Sequence, residues 1–404
     1  MDDLHCDVLI IGGGLVGGAL ACALGQAGVP VAVVDHAAPA TVLAAGFDGR
    51  ASAVARTARD ALAAIGAWRH IEGEAQPILE IRVADAGAPL FLHYDADTRG
   101  DRPFGWLVEN RGLRRALLTR MGELPAVRLA APAAVAQLRR DADAVTARLA
   151  DGRAVRARLA VAADGRGSPT RRAAGIRTTG WSYGQHGIVC TVAHQSPHHG
   201  IAHEHFLAGG PFAILPLTGN RSSIVWTERS DLAAAILAQD DAAFLRDLTG
   251  RFGDFLGDIA VAGPRFGWPL ALQFAERYID RRLALVGDAA HGMHPIAGQG
   301  MNMGIRDIAA LAELVVEHRR LGLDPGGPAV LERYERWRRF DNLLMLAMTD
   351  GLNRLFSNHF GPLRLARDLG LAAVQRLPPL KRLFTRHAMG LAGDLPRLLL
   401  GERL

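Results

Sequence analysis

Lysine is nearly missing from this 404-residue chain: among 46 basic residues, Lys381 is the single lysine. Schiff-base chemistry and a phosphate-binding P-loop both need a lysine in the site, and one lysine deep in the C-terminal tail argues against each. Cysteine is scarce as well. Cys6, Cys22 and Cys190 are far apart and odd in number, which points to a reducing compartment without a disulfide frame or a cysteine-rich metal site. Charge is absent from the 27 positions between Val8 and Val34, a run long enough to cross a bilayer. Seven glycines and Pro30 interrupt it, and Asp2, Asp3 and Asp7 stand where a signal peptide carries basic residues. The pattern therefore reads as strand, turn, helix, strand rather than one membrane span. The chain has no internal repeats and no low-complexity linkers.

What is present is a globular composition, 49% hydrophobic and 22% charged, at a length that suggests two or three domains. The net charge of +5 comes with the arginine bias and is better explained by codon composition than by an acidic partner. The run CDVLII (6–11) is apolar throughout much of its length, as expected of a parallel strand covered on both faces. It ends in Gly12-Gly13-Gly14-Leu15-Val16-Gly17, satisfying G-x-G-x-x-G. Small residues follow in a helix, and a second strand, Val31 to Val34, delivers Asp35. Each part has a use: Gly12 for the tight turn, Gly14 for close approach of a pyrophosphate, Gly17 for helix–strand packing, and Asp35 to accept from a ribose diol. This predicts a dinucleotide site, FAD or NAD.

Two more strands end in an acid and a glycine-rich loop. From Val145 to Ala163 the pattern has period two, with Asp151-Gly152 as a hairpin turn, and AVRARLAVAA runs into Asp164-Gly165. Leu283 to Val286 reads as a buried strand that hands Gly287 and Asp288 to a loop with Pro295, Gly298 and Gly300. A helix is expected near Asn302, an acceptable N-cap, so the loop presents free N–H groups and positive dipole to an anionic ligand. Between the motifs, Arg50 and Ser52 precede a helical pattern at Val54, Ala58, Leu62 and Ile65, closed by Gly66. Strands Ile201 to Leu207, Phe212 to Leu217 and Ser222 to Thr227 suggest a separate antiparallel sheet. His194, His198, His199, His203 and His205 fall in this region, but no carboxylate or cysteine completes a metal-ligand spacing. His291 and His294 flank Gly292 in a loop and are not read as a ligand pair. No metal is expected. Beyond Asp307 the chain is helical, and residues 345–404 alternate apolar clusters with Arg364, Arg367, Arg376, Lys381, Arg382 and Arg386. Arg397 belongs to the same set, and such a basic amphipathic tail packs on its own protein or on a membrane surface.

Three motifs in order, GGGLVG with Asp35, ADGRGS (163–168) and VGDAAH (286–291), resemble the single-component FAD-dependent aromatic hydroxylases, the group A flavoprotein monooxygenases of the para-hydroxybenzoate hydroxylase fold. HPIAGQGMNMGIRD, the ENR of 109–111, HEHFLAGGPFAILPL and TDGLNRLFSN look like the ubiquinone-biosynthesis hydroxylases within that group, and the resemblance covers essentially the whole chain. It implies an α/β fold: a Rossmann-like FAD-binding domain with a parallel sheet (1–75, 101–180 and 271–340), a β-sheet substrate domain (76–100 and 181–270) and a C-terminal helical region (341–404). It implies that Gly12, Gly14 and Gly17 cradle the FAD pyrophosphate and that Asp35, where many relatives have Glu, holds the adenosine ribose. Arg50 and Arg111 would touch FAD, Asp164 and Gly165 would support the cofactor and nicotinamide region, and Gly287-Asp288 would bind the ribityl chain. Pro295 and the Gly298–Asn302 loop, including Gly300, would face the isoalloxazine ring.

The implied reaction is hydroxylation of a prenylated phenol through a flavin hydroperoxide, with dioxygen as co-substrate. No second G-x-G-x-x-G exists for a resident nicotinamide, so NAD(P)H visits transiently or a protein supplies electrons. Phe206, Phe212 and Pro216 are candidates for the substrate wall, and no general base stands out. Implied partners are the phenol, a ubiquinone-biosynthesis complex and, through the tail, the inner face of the cytoplasmic membrane; no nucleic acid is expected. Two other readings stay open: a soluble flavin hydroxylase of small phenols in degradation, and a NAD-dependent dehydrogenase using the first fingerprint alone.

Overall fold

The computed structural model describes residues 3–44, 46–85, 91–95, 103–207, 209–294, 298–356 and 394–404. Strand β1 (Val8–Ile11) is buried along its whole length. Val8 and Ile10 feed one core while Leu9 and Ile11 feed another on the opposite face. Fully burying each such side chain stabilises the fold by about 1.5–3 kcal/mol. Helix α1 (Leu15–Gln26) and strand β2 (Val31–Val34) follow, β2 lying parallel to β1 with Val8 opposite Val31. The charge-free run is thus a β-α-β unit, and among the described residues no helix is long and apolar enough to cross a membrane.

Strand β3 (Ala51–Ala55) precedes helix α2 (Arg56–Ala64). Here the helical periodicity misleads: Val54 belongs to β3, not to the helix. Strand β4 (Glu80–Asp85) comes next, and strand β5 (Gly105–Glu109) takes β3 as its antiparallel partner with Val54 opposite Trp106. A partner strand distant in sequence decides the local conformation. Helix α3 (Asn110–Gly122) and strand β6 (Val127–Ala130) return the chain to the parallel sheet.

The period-two segment forms β7 (Val145–Leu149), β8 (Ala154–Ala157) and β9 (Leu159–Ala162). The run that reads as one strand in sequence is two. At Arg158 the chain changes sheets, and the N–H groups of Arg158 and Leu159 both donate to the Asp7 carbonyl at 3.0 and 3.1 Å. β8 stays with β7 in a four-stranded sheet, whereas β9 pairs parallel with β1. The longer elements that follow, with one short strand of the parallel sheet, are β10 (Thr178–His194), β11 (Ile201–Leu207), β12 (Gly210–Leu217), β13 (Arg221–Arg229), α4 (Ser230–Leu237), α5 (Asp241–Phe252), β14 (Phe266–Ala275), β15 (Leu283–Leu285), α6 (Gly300–Arg320) and α7 (Pro328–Phe356).

The six-stranded sheet has the order Ile279–Asp280, β15, β9, β1, β2, β6, all parallel except the first pair. A nine-stranded sheet carries β14, β10, β13, β12, β11 and β4 side by side. It is antiparallel apart from the β11–β4 pair, which runs parallel with Glu204 opposite Val83. The basic tail expected at 345–404 falls outside the described residues between 357 and 393; before it, α7 is helical.

One buried carboxylate ties the third strand end to both long helices. Asp307, fully buried on α6, accepts from Gly287 N–H at 3.1 Å, from Arg338 Nε at 3.0 Å and from Asn342 Nδ2 at 3.0 Å, and lies 2.5 Å from His291 Nε2. Burial alone would raise its pKa; the His291 and Arg338 contacts outweigh that and hold it well below the usual carboxylate range. Helix α6 starts at Gly300 behind Gln299, so Asn302 is not the N-cap. Its side chain instead clasps β3, accepting from Ala55 N–H at 2.9 Å and donating to the Ala53 carbonyl at 2.9 Å.

Asp307→Ala removes the carboxylate shared by Gly287, His291, Arg338 and Asn342, leaving the buried Arg338 with Asp341 as its one carboxylate, and a loss of about 3 kcal/mol in urea unfolding is expected. Because the native pKa is depressed, the stabilisation is present above the unfolded carboxylate value of about 4 and is lost as pH falls below it. The stability gap between wild type and Asp307→Asn should therefore hold steady through neutral pH and narrow in acid.

Candidate active site

Neighbouring strands β1, β9 and β15 are in register, with Ile11 opposite Ala162 and Ala162 opposite Leu285. Their C-terminal ends lie side by side, and Gly12, Asp164 and Asp288 follow them at one edge of the sheet, where open α/β sheets bind ligands. The turn after β1 is built for contact. Gly12 has φ +103°, and a Cβ there would sit 2.4 Å from the Ala163 carbonyl oxygen. A Cβ on Gly17 would sit 1.9 Å from the Gly12 carbonyl oxygen. Gly14 differs: a Cβ there meets nothing within 4 Å. Two glycines let chain meet chain, and the third opens on space.

That space is a cavity of about 650 Å³ walled by Gly12, Gly14, Asp35, Arg114, Asp164 and Gly165. The Asp35 carboxylate is held at its rim by N–H donation from Gly13 at 2.6 Å and Ala37 at 2.8 Å. Asp164 Oδ2 accepts from Thr170 N–H at 3.1 Å, while its buried Oδ1 has no hydrogen-bond partner. Asp164 borders the cavity, and a carboxylate there fits a ligand with hydroxyl or amide donors. Together with the open glycine edge, these residues fit an extended dinucleotide such as FAD.

A second cavity, about 190 Å³, lies on the nine-stranded sheet and is lined by Ala53, Ile81, Glu204, Ala213, His294 and Gly298 among others. Its walls are mostly apolar. Segment 47–53 connects the two, since Phe47 borders the first cavity and Ala51 and Ala53 border the second.

Of the residues singled out from sequence, Gly12, Gly14, Asp35, Asp164 and Gly165 share the larger cavity and Gly298 borders the smaller one. Gly17 sits behind the first turn in α1, and Gly287 is a buried pivot with φ +56°. Asp288 is exposed at the same sheet edge; Gly300 and Asn302 form the first turn of α6. Pro295 lies outside the described residues. Arg50 is turned onto Asp48, with Nε 2.9 Å from Oδ1, and its guanidinium stacks 4.4 Å from the Trp268 ring centroid. Arg111 is exposed; it is Arg114, one turn further along α3, that reaches the cavity and pairs with Asp48. Burial would raise the Asp48 pKa, but Arg50 and Arg114 hold it well below the usual range.

Phe206, Phe212 and Pro216, the residues expected at a substrate wall, do not line the smaller cavity. On β12 the residues facing the smaller cavity are Pro211, Ala213 and Leu215. Phe212 points to the other face, into the core with Trp226 and Phe244, and Pro216 shares that side by strand alternation. Phe206 is on the cavity side of β11, opposite Pro211, but beyond the lining. Sequence reading also passed over Arg171, buried with its guanidinium donating to the carbonyls of Ala289 at 2.8 Å and Arg166 at 2.9 Å. It pins the second strand end to the third, and only its sequence proximity to Asp164 hinted at this.

Comparison with known proteins agrees with that geometry. A family model described as FAD binding domain matches residues 5–341. The chain is 59% identical to the ubiquinone hydroxylase UbiL of Rhodospirillum rubrum, covering 100% of this chain and 94% of that protein. It is 34% identical to the 3-demethoxyubiquinol 3-hydroxylase of Escherichia coli, over 97% of this chain and 100% of the relative. Among solved structures, the p-nitrophenol 4-monooxygenase PnpA of Pseudomonas putida DLL-E4 superposes with a TM-score of 0.81 at 21% identity, covering 98% of this chain and 100% of that one. At that identity the likeness shows the fold.

The glycines yield a paired prediction. Gly14→Val should fold, as judged by circular dichroism, yet bind FAD at least ten-fold (about 1.4 kcal/mol) more weakly in a flavin-fluorescence titration. Gly12→Val, which drives a side chain into the Ala163 carbonyl, should lose stability as well.

Proposed function

This chain belongs to the FAD binding domain family and, within it, to the ubiquinone-biosynthesis hydroxylases, and from that premise we propose which of its residues hold the cofactor and the ring. It is an FAD-dependent aromatic monooxygenase acting on a prenylated phenol in ubiquinone biosynthesis. The small-phenol degradation and dehydrogenase readings fall away, because relatives that match nearly end to end carry ubiquinone hydroxylase names. The observation that carries the assignment of the parts is the pairing of a larger cavity at the strand ends with a smaller, mostly apolar one beside Gly298.

In this reading Gly12, Gly14 and the α1 N-terminus receive the FAD pyrophosphate, with Gly17 allowing α1 to close on the strand. Asp35 accepts from the adenosine ribose, and Asp164 and Gly165 support the cofactor and the nicotinamide region. Arg50 and Arg111 serve the cofactor from segment 47–53 and α3, with Arg114 added by the geometry, and Gly287-Asp288 meets the ribityl chain. Backbone N–H groups of the Gly298–Asn302 turn, with Gly300 at the α6 N-terminus, stabilise negative charge at the ring edge; Pro295 belongs to the same loop by sequence. When bound and reduced, FAD supplies activation of dioxygen and delivery of one oxygen atom to an electron-rich ring carbon. The protein's own work is to exclude water and aim the ring, and Ala53, Ile81, Ala213 and Leu215 provide dry walls for that.

The reductant is NAD(P)H at a transient site or a protein donor. The division into FAD-binding segments 1–75, 101–180 and 271–340, a substrate sheet and a C-terminal helical region matches these roles. A cytoplasmic protein peripheral to the inner membrane face, within a biosynthetic complex, suits a greasy substrate and the basic tail.

Purified protein should be yellow, release FAD on denaturation, and convert 2-prenylphenol with a reductant into a product heavier by one oxygen atom in mass spectrometry. Colourless protein that takes up no FAD would overturn the reading. Replacing Arg364, Arg367, Arg382 and Arg386 with Glu should cut co-sedimentation with anionic vesicles by ten-fold or more, since each basic residue near the surface contributes roughly 1 kcal/mol.

A further inference from the structure

The smaller cavity contains a carboxyl that none of these roles uses. Glu204 sits in the middle of β11, with Ala213 of β12 and Val83 of β4 as its cross-strand neighbours. Strand alternation places it on the same side as Ala202, with Pro211, Val225 and Thr227 across the cavity. Among the described residues it has no hydrogen-bond or ion-pair partner. Glu204 is half-buried, and a carboxyl without a partner at a mostly apolar cavity is open to a ligand that completes it.

We infer that Glu204 accepts the hydroxyl proton of the bound phenol. This rests on the smaller cavity being the ring's site. As the phenol O–H bond breaks, the proton passes to a Glu204 carboxylate oxygen. The electron pair stays on the phenol oxygen, in conjugation with the ring, and raises electron density at the carbon that takes up oxygen. Once the ring carbon loses its hydrogen to solvent, Glu204 returns the proton to the same oxygen.

The surroundings suit a base working at neutral pH. Desolvation pushes the Glu204 pKa up to about 7, close to the operating range at which a general base is most effective. His294 borders the cavity and His203 borders it only from the strand, its ring turned to the other face against Phe255 and His205; burial lowers both to about 4 and they are neutral there. On the adjoining strand β4, Arg82 is engaged by Glu80. His205, on the opposite side of β11, is lowered by burial. Strands β3 and β12 bring no titratable side chain to the cavity. No fixed charge competes for the carboxylate.

The test uses FAD-loaded protein, with 2-prenylphenol and its methyl ether as probes. Wild type should bind the phenol at least ten-fold more tightly than the ether by calorimetry, and Glu204→Ala should lose that preference while keeping full FAD content. For hydroxylation of 2-prenylphenol, kcat/KM in wild type should rise with pH through about 7; in Glu204→Gln it should fall roughly 100-fold or more and lose that rise. Unchanged phenol preference and an unchanged pH profile in both variants would overturn the role of Glu204 and leave the monooxygenase assignment standing. Wild-type holoprotein that binds neither probe would instead remove the cavity assignment, and the role of Glu204 with it.

Discussion

The arrangement depends on one close approach. At Gly12 the backbone after β1 comes so near the Ala163 carbonyl after β9 that a single added carbon would lie 2.4 Å from the oxygen. Contact of that kind holds two parallel strand ends together and leaves the α1 N-terminus open beside them. A tighter side chain would part the strands, and the edge that gathers Gly14, Asp35 and Asp164 would no longer form one wall. The same constraint explains why the first turn needs glycine for two reasons: chain packing at positions 12 and 17, and ligand access at 14.

Around that edge, buried charge does the positioning. Arg171 joins the Asp164 loop to Ala289, and Asp307 joins Gly287 and His291 to α7 through Arg338 and Asn342. Asn302 then fastens β3 to the start of α6, so the wall between the two cavities is fixed from both sides. Each of these groups would be costly to bury alone, and each is bonded to a neighbour distant in sequence or across a loop, although Arg171 Nε itself has no partner. The three motifs are therefore one structure mechanically as well as chemically.

Much of this was legible in the sequence because it is local. The G-x-G-x-x-G turn, the acid after β2 and the apolar runs of the parallel strands follow from short-range patterns whose physical demands are fixed. What escaped depends on distant partners. Val54 pairs with Trp106, Asn302 serves β3 rather than its own helix, and AVRARLAVAA divides between two sheets because Asp7 captures the backbone at Arg158. Strand parity was not legible either: aromatic Phe212 faces the helices, and small Ala213 faces the smaller cavity. Glu204 stood between two histidines that prompted a metal question, and only the fold shows it as a carboxyl among apolar walls.

In the proposed arrangement one cofactor runs from the Asp35 rim, past segment 47–53, to Gly298 beside the Glu204 cavity. A crystal structure of the FAD-loaded protein tests this most directly. The adenosine ribose is expected at Asp35, the pyrophosphate over Gly12 and Gly14, and the flavin ring at the border of the Gly298–Asn302 turn with one face toward the smaller cavity. A flavin ring at the Asp35 end, or one separated from Gly298 and that cavity, would contradict it.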